Sequence, residues 1–226
     1  KDMSTKKETM GKAVGGFIPY FLVIFIFLGA MYPAIDLGAG EKERGSLETL
    51  LSSPATKFEI TLGKLMVVSL AGIVSGLVSV VGIAFPFFFI DNIPQEIQTI
   101  LFELINPFMI ISVVILMIPI AIFFASMLLS ISFYARSFKE AQSLMGPLNI
   151  IILVPLFLSI GPGIEIDHVM ALVPLINVGL LTKEIVAGSV EPIYFIETLL
   201  SLLFFAAIGV RFSVYWFNKE KTIFRI

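Results

Sequence analysis

The chain has 226 residues, 58% of them hydrophobic and 14% charged, with a formal net charge of −2 and a mean hydropathy of +1.00. A soluble domain carries about 25% charged residues, so water is excluded as the main solvent for most of this surface. The absence of cysteine excludes a disulfide framework and any Cys-based metal site, and the slight acidity carries no nucleic-acid signal.

Uninterrupted apolar runs near 20 residues long, none of them alternating, predict an all-α polytopic membrane protein rather than a barrel. Residues 1–16 precede the first run and carry Lys1, Lys6, Lys7 and Lys12. Spans are expected at about 17–35, 60–90, 107–133, 144–160 and 193–217, together forming a transmembrane domain over 17–217. At about 1.5 Å per residue the 17 residues of the fourth span reach about 26 Å, short of a hydrocarbon core of about 30 Å. Pro147 and Pro155 are expected to kink it.

Lysine and arginine in short loops set the orientation. Lys42, Arg44, Lys57, Lys64, Arg136, Lys139, Arg211, Lys219, Lys221 and Arg225 fall on one side, against Lys183 alone in 161–192 and no basic residue in 91–106. That side is expected to be cytoplasmic, with the 36–59 loop and the 218–226 tail inside and residues 1–16 outside, in a plasma membrane. An external lysine-bearing segment with no signal peptide ahead of it implies upstream sequence: another span and an external domain.

The loop interrupts the apolar pattern with mixed charge. Residues 41–51, EKERGSLETLL, are compatible with one short helix that places Leu47, Leu50 and Leu51 on one face and Glu41, Arg44 and Glu48 on another. Ser53-Pro54 breaks the chain, and Thr56 with Glu59 reads as a capping box that starts the second span near Lys57. A helix made only to lie on anionic lipid is rich in Lys and Arg. This one is acid-rich, with Glu41, Glu43, Glu48 and Glu59 against Lys42, Arg44 and Lys57, which suits a protein partner better.

Further along, Gly72 with Gly76 and Ser75 with Ser79 have the spacing of close helix contacts. Ile97, Ile100, Leu101, Leu104 and Ile105 form one stripe, an interfacial helix in the outer 91–106 loop. The apolar run at 169–181 is too short and too broken to span, so it reads as a re-entrant or interfacial outer segment. Asn149 and Glu197 are the polar groups at membrane depth and the translocation candidates. Arg211 beside Tyr215 and Trp216 reads as an interfacial anchor, and the sole histidine, His168, as a solvated loop residue. No carboxylate falls at mid-depth, which disfavours a secondary ion-coupled transporter. A membrane scaffold with no transport role is the third class.

The stretch AGEKERGSLETLLSSPATKFEITLGK at 39–64 resembles the segment after the second transmembrane helix in permease subunits of type-2 ABC exporters, in particular the NatB-like branch associated with sodium export. PLINVGLLTKEIVAGSVEP at 174–192 and FNKEKTIFRI at 217–226 extend the resemblance over essentially the whole chain. It implies that the loop is a coupling helix seated in a groove of a separate ATPase subunit. Glu41, Lys42, Glu43, Arg44 and Glu48 would make its polar contacts, and Leu47 and Leu51 its apolar anchor. It also implies a second permease subunit, with ATP and Mg held on the ATPase partners; the chain itself has no G-x-x-x-x-G-K-S/T loop and no expected cofactor or catalytic residue. Sodium is the cargo the resemblance suggests; a lipid, peptide or drug-like amphiphile suits the apolar spans equally.

Overall fold

The computed structural model describes residues 6–85, 89, 107–161, 164–187 and 189–219. Helix α1 (Lys6–Ile35) leads through a π-helical turn (Asp36–Gly40) into α2 (Glu41–Glu43), followed by α3 (Ser46–Leu51) and α4 (Lys57–Ala84). Then come α5 (Pro107–Tyr134), α6 (Phe138–Ile160), α7 (His168–Leu172), α8 (Ile176–Ala187) and α9 (Pro192–Asn218). Five segments among the described residues are long and apolar enough to cross a membrane: Tyr20–Glu43, Lys57–Ile83, Pro107–Tyr134, Phe138–Ser159 and Pro192–Asn218. The chain is a polytopic all-α membrane protein.

Residue chemistry explains where the helices start. Thr56 accepts the Glu59 backbone N–H at 3.2 Å while Glu59 accepts the Thr56 backbone N–H at 2.7 Å, so the capping box opens α4 as the sequence predicts. Ser137 caps α6 by accepting from the Glu140 N–H at 3.3 Å. That cap begins the fourth span at Phe138 rather than at 144, and the 22 residues from Phe138 to Ser159 reach about 33 Å, enough for the hydrocarbon core. Pro192 occupies the first turn of α9, where its missing N–H costs nothing.

Two further features differ from the sequence reading. The first span does not stop at 35, because the helix continues as a π turn through the small residues Gly38, Ala39 and Gly40, all buried. The turn frees the Ala39 N–H from its own helix and points it at the Ser132 hydroxyl of α5, 2.8 Å away. Gly38 permits the approach, since a Cβ there would lie 2.2 Å from Ser132 Oγ. Nor do residues 41–51 form one helix. Gly45 takes φ 74° and separates α2 from α3, a conformation that costs a side-chain-bearing residue heavily.

The core runs through the middle of the bundle. α1 packs against α4, α5, α6 and α8, and α9 lies mainly on α5. Phe27 and Phe124 meet edge to face with ring centres 5.4 Å apart, among the fully buried Ile26, Leu116, Met117, Ile120 and Leu128. Gly72 and Gly76 of α4 face Ile26 of α1, so the small-residue spacing serves packing within this chain. Hydroxyls inside the helices return to their own carbonyls, as Ser69 to Leu65, Ser130 to Ser126 and Thr182 to Val178, which keeps them satisfied away from water.

The predicted interfacial helix at 91–106 lies outside the described residues, as do residues 220–226 of the tail. The 169–181 run is resolved into α7 and α8 with a turn between them, and α8 is sunk against α1 and α6, with Val178, Leu180, Leu181 and Ile185 buried. Non-spanning backbone of this kind is tolerated at depth where protein covers it.

Candidate functional site

The loop between the first two spans sits at the end of the bundle where α5 finishes, α6 begins and α9 finishes. The resemblance implies that Glu41, Lys42, Glu43, Arg44 and Glu48 make polar contacts with an ATPase subunit. Four of them are bonded within this chain. Glu41 pairs with Lys64 of α4, a contact in which the two side chains are only 16% and 6% exposed; Lys64 also donates to the Leu37 carbonyl of the π turn. Lys42 donates to the Phe133 carbonyl and, at 3.2 Å, to that of Ala135, at the C-terminal end of α5. A cation there meets carbonyls that have no intrahelical donor and the negative end of the helix dipole.

Glu43 does the converse at the next helix. It accepts the Phe138 backbone N–H at 2.8 Å, and Glu140 accepts that of Arg136 at 2.7 Å, so two carboxylates crown the positive end of α6. Arg44 folds back onto Asp36, 2.7 Å away and about half exposed. The Asp36 hydrogen bond and charge hold the Arg44 guanidinium above its usual pKa. Consecutive residues 41–44 thus tie one short turn to α4, α5, α6 and the end of α1.

The hydrophobic half of the loop points the same way. Leu47 is 4% exposed and belongs to the core, while Leu50 and Leu51 are partly buried against it. The exposed surface of the loop comprises Glu43, Arg44, Gly45, Ser46, Glu48, Thr49, Ser52, Pro54, Ala55 and Thr56. Among the described residues the Glu48 side chain has no partner. The sequence-predicted set therefore divides: Glu48 stands on the open face, Glu43 and Arg44 are exposed there while also bonded to this chain, and Glu41, Lys42, Leu47 and Leu51 root that face in the bundle.

Asn149 and Glu197 are not assembled into a site with the loop. The Asn149 amide donates to the Gly146 carbonyl of its own helix at 3.2 Å. Glu197 lies at the opposite end of the bundle, where His168 Nδ1 is 2.9 Å from its carboxylate and the imidazole meets the Tyr194 ring at a tilt of 57°, centres 5.2 Å apart. His168 is exposed as predicted, yet it is paired across the α7–α9 contact. Sequence reasoning missed Lys64, Asp36 and Ser132 as members of the loop's root. The signal for Lys64 was present: a lysine two turns inside an apolar span requires a partner. Among the described residues no group of three or more His, Cys, Asp or Glu could hold a metal ion.

The family described as "ABC-2 family transporter protein" matches residues 1–215. The chain is similar to the "ABC transporter permease protein NatB" of Bacillus subtilis (strain 168), with 29% identity over 228 residues, covering 99% of this chain and 58% of the relative. The chain thus spans well under two thirds of that relative's length. No solved structure matches it.

Proposed function

The chain belongs to the ABC-2 family of transporter proteins, and from that premise we propose that it is the membrane-spanning permease part of an ATP-driven exporter, with the 36–59 loop as its docking element for a separate ABC ATPase. The observation that carries the reading is the division of the loop into a rooted half and an open half. A partner that pushes on Glu48, Thr49 and Ser52 pushes on a turn whose residues 41–44 are bonded to α4, α5, α6 and the end of α1. Force applied at one exposed patch therefore reaches several spans at once, which is what coupling ATP-driven closure of the partner to movement of a pathway requires.

In this reading the loop end is cytoplasmic, in accord with the lysine and arginine distribution, and two permease subunits enclose the pathway, each with one ATPase. ATP and Mg are bound by those partners, so this chain is a transport subunit and not itself an enzyme. Sodium is the cargo favoured by the resemblance of the loop to the NatB-like branch. An amphiphile is the second reading, favoured by the apolar, open grooves between α5 and α9.

Purification of the complete subunit from its native membrane in mild detergent tests the class. An ATPase identified by its phosphate-loop sequence, recovered in about equal amount, is the expected result. A well-folded subunit recovered without one overturns the reading in favour of a secondary transporter or a scaffold. Flux of Na⁺ against that of a labelled amphiphile in reconstituted vesicles with ATP then decides the cargo.

A further inference from the structure

One stripe of α9 carries a pattern that neither packing nor ATPase docking uses. Leu203, Ala207, Arg211, Tyr215 and Lys219 follow at intervals of four, so they share one face of the helix. The first four line an open groove of about 840 Å³ between α9, α5 and the start of α4, where Phe58 forms the opposite wall. Lys219 follows one turn beyond the lining residues, with its ammonium 4.6 Å from the centre of the Tyr215 ring and 4.9 Å from that of Trp216. Arg211 is exposed in this otherwise apolar groove and has no partner among the described residues.

We propose that this groove binds one anionic phospholipid of the loop-end leaflet, with its phosphate on Arg211 and Lys219 and an acyl chain laid along Ala207 and Leu203. The order of chemistry along the helix matches the long axis of that ligand: apolar wall at depth, then cation, aromatic ring and cation toward the membrane surface. The rise from Leu203 to Arg211 gives about 12 Å of apolar wall, a length that an acyl chain covers and a soluble anion leaves empty. A covering apolar helix would fill the wall but leave the Arg211 guanidinium against it with no counter-charge, and a charge taken out of water unpaired is costly. The phosphate answers both demands, and Tyr215 sits where aromatic rings meet headgroups.

The test uses the complete protein, purified in mild detergent with equimolar phosphatidylglycerol and phosphatidylcholine of the same acyl chains, and native mass spectrometry of the lipid it retains. Wild type is expected to hold one tightly bound phosphatidylglycerol, preferred over phosphatidylcholine. Arg211→Gln should lower that preference about fivefold, the scale of one basic side chain at a membrane surface, while Arg211→Lys retains most of it. Ala207→Phe, at an exposed position, fills the groove and should remove the bound lipid with both cations still in place. An unchanged preference in Arg211→Gln, or undiminished lipid in Ala207→Phe, overturns the proposal. Wild type that retains no phosphatidylglycerol also overturns it and assigns the groove to a protein helix. If Arg211→Gln does not elute as a single folded species, Ala207→Phe decides alone.

Discussion

The two ends of the bundle solve the same problem in opposite ways. At each end the chain leaves one span, forms short helices and returns. The 36–56 loop is held by charge: the buried Glu41–Lys64 pair, Lys42 on the end of α5 and Glu43 on the start of α6. The 164–187 segment is held by one surface contact of titratable groups, His168 with Glu197, and otherwise by neutral groups and close packing, with Asn177 donating to the Ala171 carbonyl at 3.0 Å and Gly179 seated against Ser159. Its one ammonium, Lys183, reaches the Ile164 carbonyl at 3.0 Å and that of Gly161 at 3.3 Å, turned inward like the rest. The first element keeps an exposed polar face above its anchor; the second sinks its longer helix into the bundle. Charge roots a surface that stays available to a partner, whereas small residues and amides close an end.

The contrast can be broken from either side. The largest effect is expected at the buried pair. Glu41→Leu strands the Lys64 ammonium and should cost about 3–5 kcal/mol, read as unfolding of the purified protein in detergent; Glu41→Leu with Lys64→Met should recover most of it. Next is the far end. Gly179→Ala places a Cβ 2.2 Å from Ser159 Oγ, an overpacking expected to cost about 1–3 kcal/mol in the same assay. The same change at Gly63, where a Cβ meets nothing within 4 Å, should be neutral or stabilising. Lys42→Met removes the cation at the end of α5 and should cost up to about 2 kcal/mol; a larger coupling between Lys42 and Glu43 in a double-mutant cycle would indicate that they act as one unit. The smallest effect on stability belongs to the open face: Glu48→Lys with Thr49→Arg should stay within about 0.5 kcal/mol of wild type per site while abolishing recovery of the ATPase.

The parts legible in the sequence are those with local causes. Five apolar runs gave five spanning helices, Thr56 and Glu59 gave the start of α4, and Ser53-Pro54 gave the turn before it. The partners of the charged loop were not legible, because Lys42 reaches carbonyls 91 and 93 residues away and Glu43 an N–H 95 residues away. Composition shows that such charges need partners but not whether the partner is another subunit or the end of a neighbouring helix. Gly45 was visible as a glycine, but its left-handed φ, which splits the expected helix, follows from the need to turn Leu47 back into the core. Ser137 as the start of the fourth span was overlooked because Lys139 and Glu140 masked the apolar pattern, although a serine three residues ahead of a glutamate is itself a start signal.

The central claim is that a partner ATPase seats on the exposed half of the loop. A photo-crosslinking residue placed at Thr49 of the complete subunit, in cells that also hold the ABC ATPases of the organism, tests it most directly, with the same probe at Val169, 66% exposed at the opposite end of the bundle, for comparison. The account predicts an ATPase adduct from Thr49 that grows when the ATPase is trapped with ATP, and none from Val169. A folded, membrane-inserted subunit that gives no adduct at Thr49, or gives equal adducts at both positions, contradicts it.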